Sequence, residues 1–284
     1  VDDVIAVMTT ASRYGIPVLP RCGGTSLAGQ AVNHAIVLDF SKYMDQVVEV
    51  NPEESWARVQ PGIVLDRLSK SVSQYDLQYA PDPTTSNRAC VGGSIGNNTC
   101  GAHSVIYGKT IDHILELATV LSDGSQAYLR SIDREELTNK LSGDTLESEV
   151  YRQVQRIALD HREQIETLYP KVFRRVSGYN LDEFLGSHSF NLARMVVGSE
   201  GTLCIATEAK VNLVPRPKFK GLAILHFHGL VEACEATWEV LKHEPAAVEM
   251  VDKMILDRCR SSLGFANQMT FVEGNPGALL LVEI

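Results

Sequence analysis

The stretch with the most chemical content is Ile16–Gln30, IPVLPRCGGTSLAGQ. Gly23, Gly24 and Gly29 permit backbone conformations closed to other residues and let the main chain approach a ligand closely. Successive N–H groups, the Thr25 and Ser26 hydroxyls and the Arg21 guanidinium together suit a diphosphate. Neither G-x-x-x-x-G-K-[ST] nor G-x-G-x-x-G follows the short apolar run, so a mononucleotide P-loop and a Rossmann turn are both unsupported. Taken alone, the stretch is open between an ordinary turn and a phosphate cradle.

A second unusual stretch is Tyr79–Lys109. It holds Pro81, Pro83, Gly92, Gly93, Gly96, Gly101, Asn97, Asn98 and the pair Tyr107-Gly108, without a clear period. Long aperiodic segments inside compact domains are usually functional or disordered, and Val91, Ile95, Val105 and Ile106 argue for order. The segment therefore reads as one that wraps a ligand. His103 within it could touch that ligand or simply bond to backbone. Arg174-Arg175, followed by Gly178-Tyr179-Asn180, could attract a carboxylate, because a guanidinium pairs with one bidentately. The competing reading is a solvated basic pair. Glu200, in SEGT, suits a structural role better than that of a base, and Asp82 between two prolines suits turn geometry. His226 and His228 share one face of a strand, but further zinc ligands are not evident, so no metal site is assigned.

The elements that must position these residues follow from pattern. Asp2–Tyr14 has helical spacing, acids in its first turn and Gly15 to close it. Ile16–Leu19 and Ala35–Phe40 read as strands, as do Val47–Val50 and Trp56–Val59. Ile63–Tyr75 has helical periodicity. Ile114–Leu121 and Gln126–Arg130 flank Asp123-Gly124, a hairpin signal. Leu146–Leu168 reads as one long helix with Val150, Val154, Ile157 and Ile165 on one side. Met195–Val214 reads as strand interrupted by Gly198–Gly201. Pro215 and Pro217 mark a boundary, beyond which a strand (Leu222–Phe227), two helices (Val231–Leu241 and Val248–Cys259) and a last strand (Ala278–Ile284) are expected.

Composition narrows the function classes. With 284 residues, 44% hydrophobic and 21% charged, the chain can bury a large core and form two or three domains. A formal charge of −9 argues against nucleic acid as a partner. No apolar run approaches the ~20 residues of a membrane span, although peripheral membrane association stays open. Cys22, Cys90, Cys100, Cys204, Cys234 and Cys259 are scattered, a pattern of reduced thiols that suggests a cytoplasmic location. No signal peptide is evident. The chain opens on Val1 rather than Met and is read as a fragment.

Three segments, PRCGGTSLAGQ (20–30), PDPTTSNRACVGGSIGNNTCGAHSVIYG (81–108) and VGSEGTLCI (197–205), resemble in content, order and separation the PCMH-type FAD-binding domain of the vanillyl-alcohol oxidase superfamily. Within it the chain is similar to the glycolate-oxidase-subunit-D type of D-2-hydroxyacid dehydrogenase. GNNTCGAHSVIYGKT in particular resembles the long D-lactate and D-2-hydroxyglutarate dehydrogenases that carry a C-terminal iron–sulfur domain. The resemblance implies an α+β fold: two α/β subdomains, 1–80 and 81–215, followed by the start of an antiparallel-sheet cap at 216–284.

It also implies roles. Gly23, Gly24, Thr25 and Ser26, with Arg21, would hold the FAD diphosphate, and Gly29 and Gln30 would continue toward the flavin. Pro81, Asp82 and Thr84 would approach the ribityl and isoalloxazine side. Gly92, Gly93, Ser94, Gly96, Asn97, Asn98 and Gly101 would wrap the dinucleotide, with Tyr107 closing the loop. Glu200, Gly201 and Ile205 would line the adenosine end. Family members often carry Gly where Cys22 and Cys204 stand, and Asn where Ser94 stands. A covalent flavin link is not marked by any His or Cys, so FAD is expected to bind non-covalently. The implied reaction passes hydride from a D-2-hydroxyacid to FAD, then electrons to an iron–sulfur domain or another non-oxygen acceptor. The base and the metal-binding histidines are expected outside this chain, since neither H-x-x-x-x-x-H nor Gly-Glu-His-Gly occurs. Arg175, Tyr179, Asn180 and His103 are the lesser catalytic candidates within it. A flavin-binding electron-transfer module and an enolpyruvyl-sugar reductase-like enzyme are the alternatives. A Gly24→Val variant is expected to lose flavin and stay folded.

Overall fold

A computed structural model describes residues 1–186 and 189–284. The chain forms two compact units: Val1–Cys100 with Lys109–Arg216, and Gly101–Gly108 with Pro217–Ile284.

The first unit opens with the helix Asp2–Tyr14. Gly15 ends it at φ 65°, its N–H donating to the Ala11 and Ser12 carbonyls, a conformation that glycine adopts without a Cβ penalty. The strands Val18–Arg21 and Ile36–Asp39 then pair in parallel, Arg21 opposite Asp39. A parallel pair needs a long crossover, usually a helix. Here the crossover is the glycine-bearing loop itself, so the loop is held at both ends. Val4, Phe40, Val120 and Ile205 make a small core beneath this pair.

The main sheet of the unit is antiparallel and five-stranded, in the order Val47–Asn51, Trp56–Val59, Ile205–Asn212, Ile114–Val120, Gln126–Leu129. Along Ile205–Asn212 burial alternates, with Ile205, Thr207, Ala209 and Val211 inward. That period of two is what a half-solvated sheet demands. The outward face carries a polar ladder: Arg58 pairs with Glu116 at 3.3 Å and Glu208 at 3.2 Å, and Tyr128 donates to Glu116. The inward face packs on helix Leu65–Val72, whose Leu65, Leu68 and Val72 are buried, and on Tyr151 and Val154.

Three expectations for this unit need correction. Leu146–Leu168 is two helices, Leu146–Asp160 and Arg162–Leu168, with His161 between them outside helical geometry. The second helix turns Ile165 into the protein, whereas Ile157 on the first is 37% exposed, so no single apolar stripe runs the whole length. A separate helix, Arg134–Ser142, capped by Asp133, precedes them and was not anticipated. Met195 lies in a short helix, Ala193–Val196, and strand structure begins only at Ile205. Within the supposedly aperiodic segment, Val91–Asn97 is helical despite three glycines. Buried Val91 and Ile95, one turn apart, secure it against the entropic cost of glycine.

The second unit is a three-stranded antiparallel sheet, Leu222–Phe227, Ala278–Glu283, Ala247–Asp252, with the middle strand last in sequence. Helix Leu230–Leu241 covers Ala278, Leu280 and Val282 through Ala233. The expected helix Val248–Cys259 is instead the strand Ala247–Asp252 followed by helix Lys253–Ser261. Asp252 caps that helix, accepting from the Ile255 N–H at 2.8 Å. The outcome is β-α-β-α-β rather than β-α-α-β. Among the described residues, no helix is long and apolar enough to cross a membrane.

Candidate functional site

The three glycine-bearing segments meet in the first unit, and their contacts are direct. A Cβ on Gly23 would fall 2.3 Å from the Arg88 carbonyl oxygen, so the first segment touches the second with no room for a side chain. Ile95 and Gly96, at the end of the helix Val91–Asn97, accept from the N–H groups of Gly198 (2.8 Å) and Glu200 (2.9 Å), which joins the second segment to the third. A Cβ on Gly201 would meet Pro20 Cγ at 2.9 Å, closing the ring back to the first. Glu200 and Gly201 sit at positive φ in a tight turn, where glycine is the natural residue and Glu200 is strained.

This junction encloses a cleft of about 480 Å³, a size ordinary for a small-molecule or cofactor site. Arg21, Gly23, Gly24, Thr25, Ser26 and Gln30 line it from the first segment; Gly92, Gly93, Ser94, Gly96, Asn97 and Asn98 from the second; Glu200 and Gly201 from the third. Gly29 belongs to the same loop but does not line the cleft. Pro81, Asp82 and Thr84 do not line it either, though Pro83 and Thr85 beside them do. Ile205 is buried in the small core, and Gly101 and Tyr107 belong to the second unit.

Four buried polar atoms on residues lining the cleft have no protein partner: Arg21 Nε, Gln30 Oε1, Ser94 Oγ and Asn98 Nδ2. An unpaired buried polar atom costs about 1–3 kcal/mol, so four around one cavity indicate a site arranged for a polar ligand. Gly93 adds a shape argument. A Cβ there would meet nothing within 4 Å, so the backbone presents an open surface to the cleft. Unpaired donors and acceptors beside a bare glycine surface fit a dinucleotide with a central diphosphate.

Electrostatics in the cleft are mild. Burial raises Glu200 above its ordinary value, opposed by the Gln30 hydrogen bond. Cys22 Sγ donates to the Pro61 carbonyl at 3.4 Å and Cys90 Sγ to the Arg88 carbonyl at 3.6 Å, and interaction with Cys90 together with burial holds the Cys22 thiol well above its ordinary value. Burial pushes Cys204 up to about 12, leaving it an inert thiol.

None of the lesser catalytic candidates is among the residues that line the cleft. Arg175 donates to both Asp182 carboxylate oxygens at 2.8 Å and lies 4.6 Å from the Tyr169 ring centre. Tyr179 shares a 2.8 Å hydrogen bond with Thr202, and buried Asn180 donates to the Val197 carbonyl at 2.7 Å. His103, in the second unit, pairs with Glu283 at 2.8 Å. Sequence reasoning passed over Pro61, Cys22 and Cys90 as lining residues. Adjacency to the glycines was a usable signal for the two cysteines, whereas Pro61 reaches the cleft only by tertiary contact.

Residues 1–129 match the FAD binding domain family. Beyond the matched residues, similarity continues through most of the chain. A D-2-hydroxyglutarate dehydrogenase of Pseudomonas putida is 37% identical over 259 residues, 90% of this chain and 26% of that protein. Glycolate oxidase subunit GlcD of Bacillus subtilis is 29% identical over 259 residues, 90% of this chain and 44% of the relative. The chain thus spans about a quarter of the length of the dehydrogenase. Among solved structures, alkyldihydroxyacetonephosphate synthase superposes with a TM-score of 0.67 at 17% identity, over 100% of this chain and 45% of that one. This last likeness is one of fold, and it agrees with the expected α+β architecture.

Proposed function

We propose that the cleft seats FAD without a covalent link, and that the chain is the cofactor-holding part of an FAD-linked D-2-hydroxyacid dehydrogenase of the D-lactate or D-2-hydroxyglutarate kind. The cofactor half of this reading is carried by the four partnerless buried atoms around one cavity. The substrate half rests on the relatives named D-2-hydroxyglutarate dehydrogenase and glycolate oxidase subunit.

The chain's own residues bind and orient. The backbone of Gly23, Gly24, Thr25 and Ser26 holds the diphosphate, and the Arg21 guanidinium answers its charge. Ser94 and Asn98 offer a hydroxyl and an amide from the second wall, while Gly92, Gly93, Gly96 and Asn97 supply close backbone approach. Gln30 and Glu200 close the third side together with Gly201. Gly29, Pro81, Asp82, Thr84, Gly101, Tyr107 and Ile205 keep the roles that the family resemblance suggests. When bound, FAD supplies the acceptor for a hydride from the carbon that bears the substrate hydroxyl.

Subdomains 1–80 and 81–215, with 216–284 as the start of a cap, complete the reading. The base, the substrate-carboxylate cations and the onward acceptor, an iron–sulfur domain or another non-oxygen acceptor, are assigned to the rest of such an enzyme, in the cytoplasm.

Anaerobic addition of paired D- and L-2-hydroxyacids to the complete FAD-loaded protein tests the proposal. Bleaching of the visible flavin band by a D-acid alone is expected. No response to any hydroxyacid would discard the substrate class, and bleaching by NADPH instead would favour a reductase. FAD retention by this chain tests the cofactor assignment separately.

A further inference from the structure

The second glycine segment does not stay in one unit. Asn98, Thr99 and Cys100 line the cleft, whereas Gly101–Gly108 belongs to the second unit and the chain returns to the first at Lys109. The two ends of this excursion are fastened to each other. The Thr99 carbonyl accepts from both the backbone N–H (3.0 Å) and the hydroxyl (2.8 Å) of Thr110, and Asn98 Oδ1 accepts from the Ile111 N–H at 3.1 Å. Asn98 and Thr110 are both fully buried, so water does not stand in for these bonds. Within the second unit, His103 pairs with Glu283 at 2.8 Å, and the helix Ser104–Tyr107 lies against the strand Ala247–Asp252. Asn98 thus has a divided amide. Its oxygen is taken by Ile111, and its Nδ2 is buried without a protein partner on a residue that lines the cleft.

We propose that Gly101–Gly108 is a strap through which ligand in the cleft steadies the second unit, with Asn98 as the residue that joins the two. The proposal rests on the reading that the cleft seats FAD. A ligand acceptor bonded to Asn98 Nδ2 requires the same side-chain position that holds Ile111, because turning the amide to release Ile111 withdraws the donor. Ligand therefore binds the fastened neck in preference to the opened one, and opening is suppressed in proportion to occupancy. The strap ends on the His103–Glu283 pair, so the strand Ala278–Glu283 shares the gain. Thr110 is a positioning residue: its hydroxyl fixes the Thr99 carbonyl beside Asn98, and it does not itself line the cleft.

Hydrogen exchange of the complete protein with and without FAD, read by mass spectrometry, tests this, with visible flavin absorbance reporting occupancy. Bound FAD should slow exchange about tenfold or more in 101–108 and in Ala278–Glu283. Thr110→Val, which removes the hydroxyl, should still take up flavin but lose most of that slowing, and Thr110→Ser should keep it. Glu283→Ala should keep the slowing in 101–108 and lose it in 278–283, a split that general stabilisation of the chain would not produce. Bound flavin with unchanged exchange in 101–108, or slowing in 278–283 that survives Glu283→Ala, would overturn the proposal alone. Wild-type protein that takes up no flavin would overturn it together with the cofactor reading. If Thr110→Val fails to fold, the wild-type and Glu283→Ala comparison decides.

Discussion

Gly201 faces the ring of Pro20 so closely that a Cβ on it would lie 2.9 Å from Pro20 Cγ and 3.3 Å from Cδ. Gly201 also holds φ +73°. The third glycine segment therefore touches the first through a position that both sterics and backbone conformation reserve for glycine. Gly201→Ala should destabilise the first unit by about 1–3 kcal/mol, whether or not cofactor is present. Urea unfolding of the cofactor-free protein checks this, and an unchanged midpoint would contradict the contact.

Gly93 gives the opposite kind of variant. It sits in a helix, its added Cβ would meet nothing within 4 Å, and it lines the cleft. Gly93→Ala should leave the cofactor-free protein as stable or raise stability by about 0.5–1 kcal/mol. FAD affinity should fall about tenfold or more, as the methyl occupies space reserved for ligand. Gly24→Val, the variant suggested by sequence, is less clean: Gly24 is at φ +60° and its Cβ would meet the Arg21 guanidinium at 2.6 Å. That variant strains the loop as well as crowding the cofactor, so a folded product is not its expected outcome.

Asn180 donates to the Val197 carbonyl at 2.7 Å and to Arg194 at 3.3 Å while 4% exposed. Its amide ties the 176–180 stretch to the third glycine segment. Asn180→Ala should cost roughly 1–3 kcal/mol of stability through the unpaired carbonyls. In the complete enzyme, activity per folded molecule should stay near wild type. A large loss of kcat with unchanged stability would instead support Asn180 as a catalytic residue.

In the second unit, Glu283 meets Lys220 at 2.7 Å and His103 at 2.8 Å. Burial pushes its carboxyl upward, but the Lys220 and His103 hydrogen bonds outweigh it and leave the group below its ordinary value of 4.5. The folded state therefore binds this proton more weakly than the unfolded chain does. The stabilisation is present above pH 4.5 and is lost as pH falls through the lowered folded value. Hydrogen exchange of the strands Leu222–Phe227 and Ala278–Glu283 should report less protection below that point, and Glu283→Gln should flatten the profile.

Much of this protein was legible in its residues because the signals were local. Gly15 after an amphipathic run, the apolar run Ala35–Phe40 and Asp123-Gly124 between two apolar runs each mark structure set by neighbours a few positions away. The glycine segments were equally plain, since close approach and positive φ demand glycine wherever they occur. Tertiary structure decided what depended on distant partners. Val248–Asp252 is a strand because Ala278–Glu283 lies beside it, and the helical periodicity of its own residues could not reveal that neighbour. Val91–Asn97 is helical because buried Val91 and Ile95 offset the entropy of three glycines. Arg175 is tied to Asp182, and Gly23 abuts the Arg88 carbonyl, through folding that joins positions no spacing rule connects. Local sequence sets the conformations each segment can adopt; long-range packing selects among them and determines which side chains share a cavity.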